Sequence, residues 1–202
     1  MTVAGTSAYA GRTDLPGRVR AALDAALEAG FDNSCLPEQG ALLRTLAAGV
    51  GPGLIGETGT GVGVGLAWLA SGAHPAARLI SIERDPSWAV AAAEVFADDP
   101  RVTVRAGEGR SLVEYGPFDL LVLDGGGHGK AGGEPVEPRR WLRPGGLLVI
   151  DDFTPMAGWP PTHHGRPDTE RLYWLDHPDL RAAEIRVTPA SATIVATYVG
   201  TP

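Results

Sequence analysis

The segment between residues 54 and 69 constrains the fold most, because a short apolar run leads through a glycine-rich turn into an amphipathic stretch. It reads LIGETGTGVGVGLAWL. Glycines at 59, 61 and 63 allow a tight turn and a close approach of the backbone to a ligand, with the N–H groups of the following helix aimed at it. A dinucleotide fingerprint G-x-G-x-x-G needs glycine at position 64 or 66, where the chain has Val64 and Leu66. The spacing therefore favours a nucleotide cradle other than an NAD site; the alternative is a flexible loop without a ligand.

The composition of the chain limits the kinds of ligand and partner that it is expected to bind. The chain has 202 residues, 44% of them hydrophobic, which is enough for a substantial core in one domain. Its formal net charge of -7 disfavours nucleic acid and anionic membrane surfaces, since both require basic patches. The single cysteine, Cys35, excludes an internal disulfide framework and a cysteine zinc cluster. No signal-peptide core or membrane-length apolar run occurs, so we expect a cytoplasmic location.

Apolar runs alternate with helical stretches along the chain. Two N-terminal helices are predicted at 19–29 and 37–48, as a helical extension (residues 1–50) that caps a core domain (residues 51–202). Strands are predicted at 54–55, 78–82, 102–105, 118–123, 146–150, 183–187 and 192–199, with helices at 64–71, 87–96, 111–113 and 138–142. This rhythm predicts an α/β fold with a Rossmann-like, mostly parallel seven-stranded sheet, an antiparallel edge and helices on both faces.

The stretch from 153 to 169 is too long for a simple connector and contains four prolines. Long irregular segments in compact domains commonly carry function. We interpret this stretch as a lid over the site, with an ordered surface loop as the alternative.

An acidic residue follows four of the predicted strands. Glu57, Glu83 and Asp124 each come after one strand, and the pair Asp151 and Asp152 follows a fourth. Because ligands of open parallel sheets bind beyond the carboxyl ends of the strands, these acids are expected to meet at one edge. Glu83 follows the last glycine of the turn by 20 residues, a distance typical of an acid that accepts hydrogen bonds from ribose hydroxyls.

The pattern E-x-G-x-G-x-G, with Glu57 two residues before the first glycine, resembles motif I of the class I methyltransferases that use S-adenosylmethionine (SAM). The resemblance implies that Glu57 lies near the aminoacyl end of SAM, Glu83 near its ribose and the turn 107–109 near its adenine. The implied cofactor-binding residues are Glu57, Gly59, Thr60, Gly61, Gly63, Glu83, Arg84, Gly107, Glu108, Gly109 and Asp124.

Segments 35–43, 118–124 and 142–152 together resemble the cation-dependent O-methyltransferases related to catechol and caffeoyl-CoA O-methyltransferases. The resemblance implies a divalent metal, usually magnesium, on Asp124, Asp151 and Asp152. The metal would bind both oxygens of a diol-like acceptor, lower the hydroxyl pKa and align the oxygen with the methyl group. The resemblance also suggests a homodimer.

The chain departs from that family at the general base. The family has a lysine three positions after the metal-binding aspartate, where this chain has Gly127. His128 and Lys130 are the candidate replacements, so the predicted catalytic residues are Asp124, His128 and Lys130. His128 is favoured as the base because an imidazole titrates near neutral pH. Asp152 stands where the family has asparagine, and its extra charge either favours a cation or faces solvent.

The predicted function is SAM-dependent O-methylation of a small-molecule hydroxyl acceptor. A non-catalytic SAM-binding protein that has lost its base is one alternative, suggested by Gly127. An NAD(P)-dependent oxidoreductase on a similar sheet is another, and the residues at 64 and 66 disfavour it.

Overall fold

The computed structural model describes residues 5–200, with the side chain of Ala131 excepted; the outermost residues of the two predicted domains lie outside that range. Its α-helices are α1 (Gly17–Glu28), α2 (Pro37–Gly49), α3 (Val64–Gly72), α4 (Pro86–Val95), α5 (Pro138–Trp141) and α6 (Thr169–Leu175). Short 3₁₀ helices cover Thr6–Tyr9, Gly109–Tyr115 and Lys130–Gly132. Within residues 5–200, no helix has both the length and the apolar character needed to cross a bilayer.

The strands are β1 (Leu54–Thr58), β2 (Arg78–Glu83), β3 (Val102–Ala106), β4 (Phe118–Leu123), β5 (Leu142–Phe153), β6 (Thr162–His163), β7 (Arg166–Pro167), β8 (Leu180–Arg186) and β9 (Ala192–Tyr198). Seven of them form one sheet in the order β3-β2-β1-β4-β5-β9-β8. Strands β1 to β5 pair in parallel, and β9 runs antiparallel to both β5 and β8. The predicted Rossmann-like sheet with an antiparallel edge is confirmed. The strand order reverses between β1 and β4, which is where open α/β sheets bind their ligands.

Alternate residues of the central strands face opposite layers of helices. Leu120 and Val122 of β4 belong to a hydrophobic cluster with α1, α2 and α3. Leu121 and Leu123 belong to a second cluster, on the other face, with α5 and the fully buried Trp174 of α6. The period of two in the buried strand residues therefore separates two cores, one on each face of the sheet.

The N-terminal segment is tied to the first cluster by hydrogen bonds. Thr6 N donates to Asp32 O over 3.1 Å, and the Tyr9 hydroxyl donates to Cys35 O over 2.9 Å. The Tyr9 oxygen also accepts from Trp68 Nε1 over 3.0 Å, and burial raises the pKa of Tyr9. The N-terminal helices and the sheet thus share one cluster, and the division of the chain at residue 50 stays a prediction.

The structure differs from the sequence-based expectations in several elements. Strand β1 continues to Thr58 instead of ending at Ile55, because residues 54–58 all pair with β2, and Glu57 therefore lies within the strand. The predicted helix at 111–113 is part of a 3₁₀ helix, because Ser111 donates from both N and Oγ to Glu108 O, an i to i−3 pattern that competes with an α-helix. Strand β5 begins at Leu142 rather than 146 and pairs with β4 through a register shift. Strand β8 begins three residues earlier than predicted, at Leu180. The stretch 153–169 contains the small hairpin β6–β7, and its role as a lid stays a prediction.

Candidate active site

The acids predicted at the strand ends meet at the carboxyl edge of the parallel sheet. Glu57 and Glu83 lie in the last residues of β1 and β2, Asp124 directly follows β4, and Asp151 and Asp152 lie at the end of β5. Burial, followed by the charges of Asp151, Asp152 and Glu57, raises the pKa of Asp124 well above its usual value. Four strands therefore bring five carboxyl groups into one region, where they act on each other electrostatically.

Glu83 holds the glycine turn in place. Gly61 N donates to Glu83 Oε2 over 2.8 Å, and Asp85 N donates to Glu83 Oε1 over 2.9 Å. The side chain is buried, yet each carboxylate oxygen can accept a second hydrogen bond. The residue predicted to bind ribose thus also positions the turn, and its contact with ribose stays a prediction.

A chain of hydroxyls links Glu57 to the same turn. Ser81 Oγ donates to Glu57 Oε2 over 2.6 Å, and Thr60 Oγ1 lies 2.5 Å from Ser81 Oγ. Burial raises the pKa of Glu57 to about 8, with the charge of Glu83 adding to the rise and the Ser81 hydrogen bond opposing it. Sequence reasoning missed Ser81, although a hydroxyl inside an otherwise apolar strand was a usable signal.

Two glycines of the turn are required by contacts within the protein. A Cβ on Gly59 would lie 2.3 Å from Gly125 N, and one on Gly61 would lie 2.7 Å from the Phe31 ring. Phe31 in turn packs edge-on against Trp88, with ring centroids 4.8 Å apart. The sequence pattern attributed these glycines to a ligand, whereas internal packing also excludes a side chain there.

The turn predicted for adenine lies beside the glycine turn. Gly107 N donates to Glu83 O over 2.8 Å, and a Cβ on Gly109 would lie 3.2 Å from Thr58 Cβ. Arg84 and Glu108 are exposed. The backbone of this turn therefore lies at the site. The side chains of Arg84 and Glu108, which were also predicted to bind the cofactor, face solvent.

His128 is held by two hydrogen bonds in the loop after β4. Its Nδ1 accepts from Lys130 N over 3.0 Å, and its carbonyl oxygen accepts from Trp174 Nε1 over 2.8 Å. Burial, with the charge of Lys130, lowers the pKa of His128 to about 4. The hydrogen bond to Nδ1 assigns the proton of the neutral ring to Nε2, which makes Nε2 a donor. This geometry gives no support to His128 as the general base.

Lys130 reaches across to the end of β5. Its Nζ donates to the carbonyl oxygen of Asp151 and, over 3.0 Å, to that of Asp152. It also lies 3.9 Å from the centroid of the Phe153 ring, a cation–π distance. Burial lowers the pKa of Lys130, and the charges of Asp152, Asp151 and Asp124 oppose that shift.

The predicted metal ligands lie together, but their arrangement does not form a ready cation site. Among residues 5–200, no three side chains of His, Cys, Asp or Glu are grouped so as to hold a metal ion. Asp151 Oδ1 already accepts from Asp152 N over 2.7 Å, and the ammonium of Lys130 lies on the same strand end. A metal on Asp124, Asp151 and Asp152 therefore stays a prediction.

Arg171 of α6 stabilises the end of β5, and it is not among the residues predicted from the sequence. Its guanidinium donates to Asp168 Oδ2 over 2.9 Å, to Glu184 Oε2 over 2.5 Å and to Thr154 O over 2.8 Å. Its Cζ lies 4.9 Å from the centroid of the Phe153 ring. With an exposed fraction of 2%, Arg171 ties the end of β5 to α6 and β8.

Comparison with known proteins agrees with this geometry. A family described as "Methyltransferase domain" matches residues 57–153. A protein of Mycolicibacterium paratuberculosis is 32% identical over 172 residues, which cover 76% of this chain and 71% of that protein. A second, from Mycobacterium avium, is 34% identical over 170 residues, with coverage of 76% and 71%. Both carry the name "Putative O-methyltransferase".

Solved structures share the fold at lower identity. The O-methyltransferase TomG from Streptomyces achromogenes, in complex with SAM, has a TM-score of 0.72 and 22% identity, and the match covers 97% of this chain and 96% of TomG. An O-methyltransferase from Bacillus cereus, in complex with SAH, has a TM-score of 0.72 and 18% identity, with coverage of 98% and 97%. The sheet order, the matched domain and the relatives above 30% identity agree with one another. The chain belongs to the O-methyltransferases of the class I SAM-dependent methyltransferase family.

Proposed function

We propose that this protein transfers the methyl group of SAM to a hydroxyl oxygen of a small-molecule acceptor at the carboxyl edge of β1, β2, β4 and β5. The observation that carries the proposal is the glycine turn fixed by Glu83 next to a cluster of acids, of which Glu57, Glu83 and Asp151 are buried. SAM is cationic at its ammonium and at its sulfonium, so an acidic edge suits it better than the phosphates of a dinucleotide. The net charge of -7 supports a small acceptor rather than nucleic acid.

The cofactor roles follow from position. Glu57 binds the ammonium of SAM, directly or through water, and Glu83 binds the ribose hydroxyls while its oxygens keep Gly61 N and Asp85 N. The backbone of the turn at 107–109 borders the adenine. A homodimer and a cytoplasmic location stay predictions.

The chemistry is a direct displacement. The bond from the acceptor oxygen to the methyl carbon forms as the bond from sulfur to that carbon breaks, and S-adenosylhomocysteine (SAH) leaves as a neutral thioether. We assign Asp124, which follows β4 next to the glycine turn, to accept the proton of the acceptor hydroxyl. His128, whose Nδ1 accepts from Lys130 N, has Nε2 as a hydrogen-bond donor. Positioning of donor and acceptor supplies most of the acceleration in such a transfer.

The direct test is SAH titration calorimetry followed by transfer of a labelled methyl group from SAM to a panel of phenols and catechols. We expect one SAH per chain and a labelled ether product. Absence of SAH binding at millimolar concentration would reject the function. Binding without transfer to any hydroxyl compound would favour a non-catalytic SAM-binding protein.

Replacing Glu83 with glutamine is expected to weaken SAH binding about ten- to hundredfold, or about 1.4 to 2.8 kcal/mol. The amide keeps the shape but loses the charge, and its NH₂ group would face a backbone N–H that Glu83 now satisfies. Calorimetry measures the change. Glu94→Gln, at an exposed acid on the next helix, is the matched control and should stay within threefold of the wild-type affinity. Equal affinities for both variants would contradict the role of Glu83.

SAH binding is expected to release protons from Glu57 at pH 7. With its pKa raised to about 8, Glu57 is largely protonated in the free protein, and the ammonium of the ligand favours the charged form. Affinity should therefore fall up to about tenfold per pH unit below 8. In the free protein, the raised pKa of Glu57 also makes the folding stability depend on pH. The Glu57 contribution to folding is present below its usual value of 4.5 and is lost as the pH rises through about 8.

Calorimetry in buffers of different ionisation enthalpy, such as phosphate and Tris, measures the proton release. Glu57→Gln should abolish the buffer dependence. A wild-type binding enthalpy that is independent of the buffer would refute the assignment of Glu57 to the ammonium.

A further inference from the structure

Lys130 is the only lysine in the chain, which has sixteen arginines. Lysine carries a compact ammonium with three donors, whereas arginine carries a planar fork suited to carboxylates. The single lysine therefore marks a position that requires a compact positive charge, and the contacts of its ammonium explain why.

The local backbone aims Lys130 at the end of β5. Gly129 has a φ of 84°, a left-handed conformation that turns the chain into the 3₁₀ helix beginning at Lys130. The bond from Lys130 N to His128 Nδ1 fixes that turn. The ammonium then meets two adjacent carbonyl oxygens and the face of the Phe153 ring.

The charges around Lys130 are those of the predicted metal cluster. The carboxyl groups of Asp152, Asp151 and Asp124 all lie close enough to act on the ammonium electrostatically. Carboxylates gathered at one edge repel each other, and either a cation or the protonation of one of them relieves the repulsion. In the cation-dependent O-methyltransferases that the sequence resembles, a divalent ion is that cation.

We propose that the ammonium of Lys130 takes the place of the divalent cation in this protein. Two of its three protons go to the carbonyls of Asp151 and Asp152, which leaves one for the acceptor oxygen. The ammonium neutralises the acid cluster and stabilises the oxygen as it loses its proton. The inference rests on the proposed function for the identity of the acceptor.

An ammonium in place of a divalent ion changes the class of acceptor. A divalent ion binds both oxygens of a vicinal diol, whereas one ammonium proton binds one oxygen. The acceptor site therefore requires a single ionisable hydroxyl, so that a phenol with one hydroxyl is a substrate alongside a catechol. Methyl transfer to either acceptor then proceeds in the presence of a chelator.

The test measures Mn²⁺ binding by electron paramagnetic resonance in wild type, Lys130→Met and Lys130→Arg. We expect no Mn²⁺ bound by wild type or by Lys130→Arg, which keeps the charge, and one Mn²⁺ per chain gained by Lys130→Met. Circular dichroism and cooperative thermal unfolding establish that each variant is folded. Mn²⁺ bound by wild type and lost in Asp124→Asn, or no Mn²⁺ bound by folded Lys130→Met, would overturn the proposal.

A second measurement on wild type alone keeps the proposal testable if Lys130→Met does not fold. Protein labelled with ¹⁵N-lysine gives one side-chain signal, because the chain has one lysine. We expect an ammonium signal that is unchanged by millimolar Mg²⁺ and shifts when a phenol is added to the SAH complex. A neutral amine, or a shift with Mg²⁺, would overturn the proposal. Loss of SAH binding with the Mn²⁺ results intact would instead defeat the proposed function.

Discussion

Replacing Gly125 with alanine is expected to destabilise the protein by about 3 kcal/mol or more and to abolish measurable SAH binding. A Cβ at this position would lie 2.3 Å from Gly59 Cα and 2.8 Å from Gly59 N. Both obstacles are backbone atoms, so no side chain can rotate to relieve the overlap. Thr58 O accepts hydrogen bonds from Asp124 N and from Gly125 N, over 3.1 Å and 2.7 Å, and the overlap would break this junction between β1 and β4.

Gly126→Ala is the matched control, since a Cβ on Gly126 would meet nothing within 4 Å. Its carbonyl still accepts from Thr58 Oγ1, and we expect a change within about 0.5 kcal/mol. Urea unfolding and SAH calorimetry on both variants measure the effects. Similar behaviour of the two variants would mean that the close approach of the two turns does not hold the cofactor edge together.

Replacing Arg171 with methionine is expected to cost about 3 to 5 kcal/mol of folding free energy. The change leaves Asp168 and Glu184 without their cation, and the side chains of these two acids are only 8% and 5% exposed. It also removes the donor to Thr154 O, next to the end of β5. Methyl transfer should therefore fall more than SAH affinity, because Arg171 donates to Thr154 O beyond the end of β5, on the proposed acceptor side, and none of its hydrogen bonds goes to the glycine turn.

Arg139→Met provides the comparison for Arg171. Arg139 pairs with Glu137 at exposed fractions of 66% and 52%, and removing such a surface pair should cost less than about 1 kcal/mol. Denaturant unfolding of both variants gives the two free energies. A small loss for Arg171→Met would show that the buried ion network contributes little to the fold.

The sheet and the acidic edge could be predicted from the sequence because both depend on local patterns. A short, continuous apolar run such as 118–123 marks a buried strand, and helical periodicity between such runs requires parallel crossovers. Glu57, Glu83 and Asp124 were found because parallel strands end at the same edge, whatever their exact pairing. Predictions of this kind depend on residue spacing and need no knowledge of side-chain direction.

The hydrogen-bond networks of the site could not be predicted in the same way. Arg171 meets Glu184 across 13 residues and Thr154 across 17, so its partners become neighbours only in the folded chain. The general-base hypothesis for His128 depended on its usual pKa, and burial, together with the charge of Lys130, lowers that pKa. The sequence shows that Lys130 is the only lysine, but it does not show where the side chain of Lys130 points.

The two hydrophobic clusters on opposite faces of the sheet bear on how this protein can evolve. Phe153 and Trp174, which contact Lys130 and His128 on the proposed acceptor side, belong to one cluster, whereas α3, which follows the glycine turn, packs in the other. Mutations that reshape the first layer leave the packing of the second largely untouched. A descendant of this chain can therefore acquire a new compound to modify while it keeps the same methyl source.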